Sequence, residues 1–222
     1  MESLKTELSR AQELSVAELA DAIESIGFGC TRCGGCCTAE TTESGETEPH
    51  TATLFPDEGR RLRDVTDGKW LDVARPMPYG VDDDGATGET FEWAIRTDAC
   101  GDCTFYTEDD GGTGACTVHG DRPLVCQTYP FSVALGGTSQ PMGEAVDRDG
   151  IVRAHECEGL GREISRSDAE GLAEALKERA VRELEEAIGV HDNYEPRPEA
   201  DGVVVHDSEG AKSPDGTSLD GG

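Results

Sequence analysis

Four of the eight residues in CTRCGGCC, positions 30–37, are cysteine, and no other feature limits the fold of this chain as strongly. Cys30, Cys33 and Cys36 recur every third residue, a spacing at which a tight turn brings successive thiols to one side. Gly34 and Gly35 permit such a turn because glycine tolerates positive φ. Cys36 and Cys37 are adjacent, so their side chains diverge and cannot both serve one ion with good geometry. One of the two is expected to face a different centre.

Zinc is commonly held by two C-x2-C knuckles drawn from separate places in a chain. Here the two C-x2-C units share Cys33, which suits that scheme less well. Three cysteines at x2, x2 spacing match the ligand run of bacterial ferredoxins, whose fourth cysteine binds another cluster. Cys37 departs from that run in following without a spacer and without a proline. The spacing therefore favours an iron–sulfur cluster over zinc, and both over disulfides or free thiols. Cys30, Cys33, Cys36, Cys37, Cys103, Cys116, Cys126 and Cys157 supply eight thiols, enough for two four-thiolate centres. Cys100 is the ninth, and because it forms another C-x2-C with Cys103, either of that pair could be the ligand.

A bound cation favours the thiolate form, so metal binding is expected to release protons and to be coupled to folding between residues 30 and 157. Full thiolate ligation leaves no open position for water, which weighs against a hydrolase. His119 and His155 stand near Cys116 and Cys157 and could substitute as ligands, although surface or hydrogen-bonded roles are the simpler expectation. Arg32, Arg122 and Arg153 lie close to cysteines and could offset the charge of a four-thiolate centre. No catalytic motif is recognisable by spacing.

Composition explains why a chain of 222 residues would depend on such a centre. The hydrophobic share is 35%, and 47 acidic residues face 19 basic ones for a net charge of −28. A thin apolar core calls for another source of stability, and structural metal is one. The acids are spread along the chain, and their mutual repulsion opposes compaction at ordinary ionic strength. At ~1 M salt the screening length shrinks to about 3 Å, so the composition reads as that of a protein from a halophilic organism. No basic stripe is present to meet nucleic acid. MESLKTELSRAQELS has neither a basic n-region nor an apolar h-region, so no secretory signal is expected. No apolar run approaches the ~20 residues of a membrane span. The expected location is cytoplasmic, where nine cysteines point to metal or redox chemistry instead of a disulfide framework.

Several elements are legible. Ser15 with Glu18 forms a capping-box pattern, and Val16, Leu19, Ile23 and Ile26 mark one face of a helix ending at Gly27. PDEGRRLRDV begins a second helix at Pro56. AETTESGETEPH (39–50) and DDDGAT (82–87) are expected as polar loops. ETFEWAIRT (89–97) alternates Phe91, Trp93 and Ile95, predicting a strand with one buried face. DDGGTG between Cys103 and Cys116 predicts a hairpin turn, and YPFSVAL a further strand. Ser167 with Glu170 caps a helix over 168–188, with Leu172, Leu176, Ala180, Leu184 and Ile188 on one stripe and Gly189 at its end. Residues 190–222 are rich in Pro, Gly and Asp and are expected to be largely disordered, or to lay one extended segment, Val203 to Val205, on the core.

The stretches CTRCGGCC, then CTFY followed by GACTVHGDRPLVCQTYPF, then ECEGLGR resemble the CxxCxxCC zinc- or iron-chelating domain family, also called the YkgJ-like cysteine-cluster family. The resemblance covers residues 30 to about 162. Carried over by position, it implies Cys30, Cys33, Cys36, Cys37, Cys103, Cys116, Cys126 and Cys157 as metal ligands, and it selects Cys103 over Cys100. The family pattern has an aromatic residue where His119 stands and Arg where Gln127 stands. The resemblance implies metal ions as ligand, either zinc or an iron–sulfur cluster, and a label of iron–sulfur oxidoreductase component. Related cysteine clusters occur in flagellin lysine methylases, which implies a redox or modification enzyme as partner. No nucleotide- or methyl-donor-binding motif is present to carry that activity over.

The expected architecture is α+β, a small irregular metal-organised domain with short strands flanked by helices. Its parts are an N-terminal helical extension (1–29), a cysteine-cluster metal-binding domain (30–162), a C-terminal helix packed on the core (163–189) and the acidic tail (190–222).

Overall fold

The computed structural model describes residues 3–42, 45–82, 85–135, 145–147, 149–198 and 200–219. The loops expected at 39–50 and 82–87 each include residues outside these ranges, as does the tail beyond 219. The fold is irregular α+β, with short strands in small sheets. In chain order it begins with helices α1 (Leu4–Glu13) and α2 (Val16–Ile26). Strands β1 (Glu40–Thr41), β2 (Thr47–Glu48) and β3 (Thr53–Leu54) precede helices α3 (Pro56–Thr66) and α4 (Trp70–Val73). Then come β4 (Ala74–Pro76), β5 (Gly88–Thr90), β6 (Trp93–Ile95), β7 (Tyr106–Glu108) and β8 (Gly114–Cys116). The short helix α5 (Leu124–Thr128) leads into β9 (Phe131–Val133), β10 (Ala145–Asp147) and β11 (Val152–His155). The long helix α6 (Arg166–Asn193) is followed by β12 (Val203–Asp207) and β13 (Gly210–Lys212).

These elements form two compact units. Unit 1 holds Met1–Cys36, Asp109–Gly114 and Leu124–Glu185, and unit 2 holds Cys37–Glu108, Ala115–Pro123 and Glu186–Gly222. The units interleave along the sequence. The division falls between the adjacent Cys36 and Cys37.

The core of unit 1 is built by α2, α6 and the antiparallel pair β9–β11. Leu19, Ala20 and Ile23 of α2 meet Phe131 and Val133, Val152 and Ala154, and Ala169, Ala173, Leu176, Ala180 and Leu184 of α6. The three alanines let α6 approach closely, and truncating a large member such as Leu176 to Ala would cost about 2–5 kcal/mol. Ser15 caps α2 by accepting the Glu18 N–H at 3.3 Å. Helix α6 starts two residues earlier than expected, because Ser165 with Asp168 offers an equally good cap. The Asp168 N–H donates to Ser165 Oγ at 3.1 Å. Arg179 is buried on α6, where its guanidinium donates to Glu183 at 2.6 Å, to Thr128 Oγ1 at 3.1 Å and to the Phe131 carbonyl at 3.5 Å.

Unit 2 contains the sheet β3–β6–β4 and the sheet β13–β12–β5. The expected 89–97 strand is two strands. Glu89 pairs with Val204, whereas Trp93 pairs with Leu54 and Pro76, so the chain changes sheets at Phe91. Phe91 is consequently 45% exposed, against Tyr194 and His206, while Trp93, Ala94 and Ile95 are all buried in a central strand. The expected hairpin at DDGGTG is present as β7–β8, with Asp109 Oδ1 accepting the N–H groups of Gly111 and Thr113, each at 2.9 Å. The 39–50 stretch carries the small hairpin β1–β2.

Of the two expectations for the C-terminal segment, the structure has the extended one: Val203–Val205 lie in β12 (Val203–Asp207), which is wholly buried. Val203, Val204 and Val205 pair in parallel with Gly88, Glu89 and Thr90. The polar residues that made this segment read as disordered are partnered. Asp207 accepts from Trp93 Nε1 at 2.8 Å and pairs with Lys212 at 2.7 Å. Lys212 also reaches Glu209 at 2.6 Å, and Arg60 binds both Glu209 oxygens at 2.9 and 2.7 Å.

The Arg60 guanidinium hydrogen bond, assisted by Lys212 and opposed by burial, draws the Glu209 carboxyl down from 4.5 to about 2. A carboxyl depressed in the folded state contributes stability above its unfolded value, and loses it as pH falls toward the folded one. The gap in thermal midpoint between the native chain and Glu209→Gln should therefore be full above pH 4.5 and close as pH falls to about 2. Thermal unfolding of both proteins across that range is the check, and a gap that did not change with pH would contradict it.

Candidate metal centre

Two local features bear on the cysteines expected to bind metal: the turn within the cysteine run and a backbone pairing beside Cys157. Within the run, Gly34 adopts φ 81°, as its sequence position predicts. Gly35 does not share that conformation; instead Arg32 does, with φ 59°. A non-glycine residue there costs of order 1 kcal/mol or more. The Arg32 carbonyl is held by the Gly114 N–H at 2.8 Å, in the same unit.

The segment leading into the run is stitched to the segment around Cys157. Gly29 N–H donates to the Gly159 carbonyl at 2.9 Å, Gly161 N–H donates to the Gly27 carbonyl at 3.0 Å, and Phe28 bridges antiparallel to Leu160. The approach leaves no space for a side chain at position 159. A Cβ there would lie 2.7 Å from the Gly29 carbonyl oxygen and 2.9 Å from the Phe28 ring. Cys30 follows Gly29 directly and Cys157 lies two residues before Gly159, so the stitch carries these two cysteines toward each other.

The electrostatics of Cys157 reveal its neighbours. Burial pushes its thiol up first, and the charges of Cys33, Cys36 and Cys30 push it further, while the Gly159 N–H donating to its sulfur at 3.3 Å acts in the opposite sense. Tyr129 senses the same group: its phenol is pushed up to about 12 by burial, then by Cys157, Cys36 and Cys33. Cys30, Cys33, Cys36 and Cys157 therefore share one neighbourhood inside unit 1. Among the described residues, no three His, Cys, Asp or Glu side chains stand at the spacing that would hold a metal ion. The two observations are compatible, because charge acts over several ångströms while ligation requires sulfurs converging on a point.

The other thiols are distributed as follows. In unit 2 the Cys103 N–H donates to the Cys37 carbonyl at 2.8 Å, and Tyr106, pushed up to about 12 chiefly by its hydrogen bond to Glu108, also senses Cys37. Cys103 is buried and Cys100 exposed. Cys116 lies on β8, half-buried, and Cys126 on α5 of unit 1, half-buried. His155 is buried with its ring hydrogen-bonded to Ser132 at 2.8 Å, and His119 is exposed. Sequence reasoning missed two residues. Tyr129 was legible as part of a strand and of the TYPF stretch that carries the family resemblance, with no role attached to it. His50, in unit 2, has its ring drawn down to about 4 by burial and by Arg75, against the pull of Asp102, and no pattern in the sequence marked it.

Nine cysteines in 222 residues define a cysteine-rich class of protein. The chain belongs to the CxxCxxCC family, described as "Putative zinc- or iron-chelating domain", whose model matches residues 29–158. No curated protein and no solved structure matches the chain. The donor set suits either metal, since thiolates are soft ligands for zinc and for iron. The amide donor already placed on the Cys157 sulfur is of the kind that supports a metal-bound thiolate. Among the described residues, no helix is long and apolar enough to cross a membrane.

The stitch makes a direct claim about glycine. Gly159→Ala forces backbone apart and should lower the unfolding free energy by about 1–3 kcal/mol. Gly171→Ala, on the exposed side of α6 with nothing within 4 Å, should instead raise it by about 0.5–1 kcal/mol. Urea unfolding of the two variants tests the contrast, and a neutral Gly159→Ala would contradict it.

Proposed function

We propose that the protein holds an iron–sulfur centre of the [4Fe–4S] type on Cys30, Cys33, Cys36 and Cys157, for electron transfer or as a component of a redox enzyme. The observation that carries this reading is that the charges of Cys33, Cys36 and Cys30 all act on Cys157 within one unit. Three ligands at x2, x2 spacing from one turn with a fourth from far along the chain is a common supply for such clusters. Cys37, Cys103 and Cys116 of unit 2, and Cys126 of unit 1, are further candidate thiols for metal. Cys100, exposed and outside the family pattern, has no role in this reading. When bound, the cluster would supply one-electron chemistry; the chain's own contribution is to bring the thiols into one neighbourhood and to place the Gly159 N–H on the Cys157 sulfur. Nine free cysteines suit a reducing compartment, so the proposed location is cytoplasmic, and the proposed partner is a redox or modification enzyme.

Purification without oxygen from iron-replete cells tests the proposal. The protein should be brown, carry iron and acid-labile sulfide in equal amounts, and bleach on reduction. Cys157→Ser should lose most of that colour and iron. Bound zinc without iron or sulfide would overturn the cluster while keeping chelation, and a chain that bound neither metal would overturn both.

A further inference from the structure

Tyr129 occupies a position no motif assigns a role, yet its side chain acts on the backbone next to a proposed ligand. Its hydroxyl donates to the carbonyl of Glu156, the residue immediately before Cys157. Two more contacts run in register with it: His155 N–H donates to the Pro130 carbonyl at 2.9 Å, and Phe131 pairs with Ala154 in the β9–β11 ladder. The segments 129–131 and 154–156 are thus zipped in three successive steps, and at the last step a phenol takes the place of a backbone donor. The base of the tyrosine is firmly anchored, because the buried Arg179 holds Thr128 on one side of it and the Phe131 carbonyl on the other. On the far side of Cys157, the Gly159 N–H meets its sulfur. Cys157 is therefore fixed from upstream by Tyr129 and from downstream by Gly159.

We infer that Tyr129 is a positioning residue for metal binding, clamping the Glu156 carbonyl so that the Cys157 sulfur faces Cys30, Cys33 and Cys36. The inference rests on the reading of Cys157 as a ligand of that centre. Without the clamp the exposed Glu156 backbone is freer to rotate, and each rotation swings the adjacent thiol off the centre. Outer contacts of this kind typically change metal affinity by about 10–100-fold.

Cobalt(II), titrated anaerobically into the metal-free full chain against a competing chelator, provides the test. Tyr129→Phe keeps the ring and removes only the donor. It should bind cobalt with unchanged stoichiometry, about 10-fold more weakly or worse, and release it faster to chelator. Combining Tyr129→Phe with Cys157→Ser separates positioning from general packing. If the tyrosine acts through Cys157, it costs nothing further in the Cys157→Ser background. Wild-type cobalt affinity in Tyr129→Phe, or an equal loss in both backgrounds, would overturn the inference. Should Tyr129→Phe fail to fold, Tyr129→Trp fills the space and the same cycle is read with it. If Cys157→Ser alone keeps the native affinity and the native thiolate-to-cobalt absorption, the ligand assignment itself is wrong and the clamp falls with it.

Discussion

The close backbone pairing of residues 27–29 with 159–161 is the constraint on which the rest of unit 1 depends. It is a short stitch of two hydrogen bonds and one bridge, and it works only because position 159 carries no side chain. Closing a loop of that length is entropically costly, although the cost rises only slowly with length. The packing of α2 and α6 on β9 and β11 supports the closure, since α2 ends at Gly27 and β11 ends just before Cys157. The helices thus set the ends of the two segments, the stitch joins them, and the thiols lie at the junction.

Gathering thiols in this way sets up an electrostatic problem in a chain of net charge −28. Burial holds the Cys157 thiol protonated more readily than an isolated one, and the charges of Cys33, Cys36 and Cys30 add to the effect. A bound cation reverses the balance, because it favours every nearby thiolate at once. A metal entering a group of protonated thiols would therefore release protons as it bound. Arg32, in a left-handed conformation inside the run, places a backbone constraint and a cationic residue at the same point.

The parts of the fold readable in the sequence were those governed by local rules. The face of α2, the proline start of α3, the DDGGTG hairpin and the four-residue stripe of α6 each follow from a periodicity or a turn residue, and each is present. What could not be read was decided by distant partners. β12 lies in a segment whose composition suggests disorder, but it is held by parallel pairing with β5 and by Asp207 meeting Trp93 and Lys212. Phe91 falls on the expected alternation, yet the chain changes sheets there. Ser165 displaced Ser167 as the cap of α6 because both patterns were adequate and tertiary packing chose. Tyr129 escaped notice since its importance lies in one carbonyl on another strand.

X-ray absorption at the metal edge of protein loaded with metal tests the central claim most directly, because it counts the atoms around the metal without reference to colour or activity. If cysteines from both ends of the stitched loop converge, the first shell contains sulfur alone, at about 2.3 Å for zinc or iron. A first shell dominated by nitrogen or oxygen would show that the thiols stay apart and that the pairing of 27–29 with 159–161 serves the fold without building a metal centre.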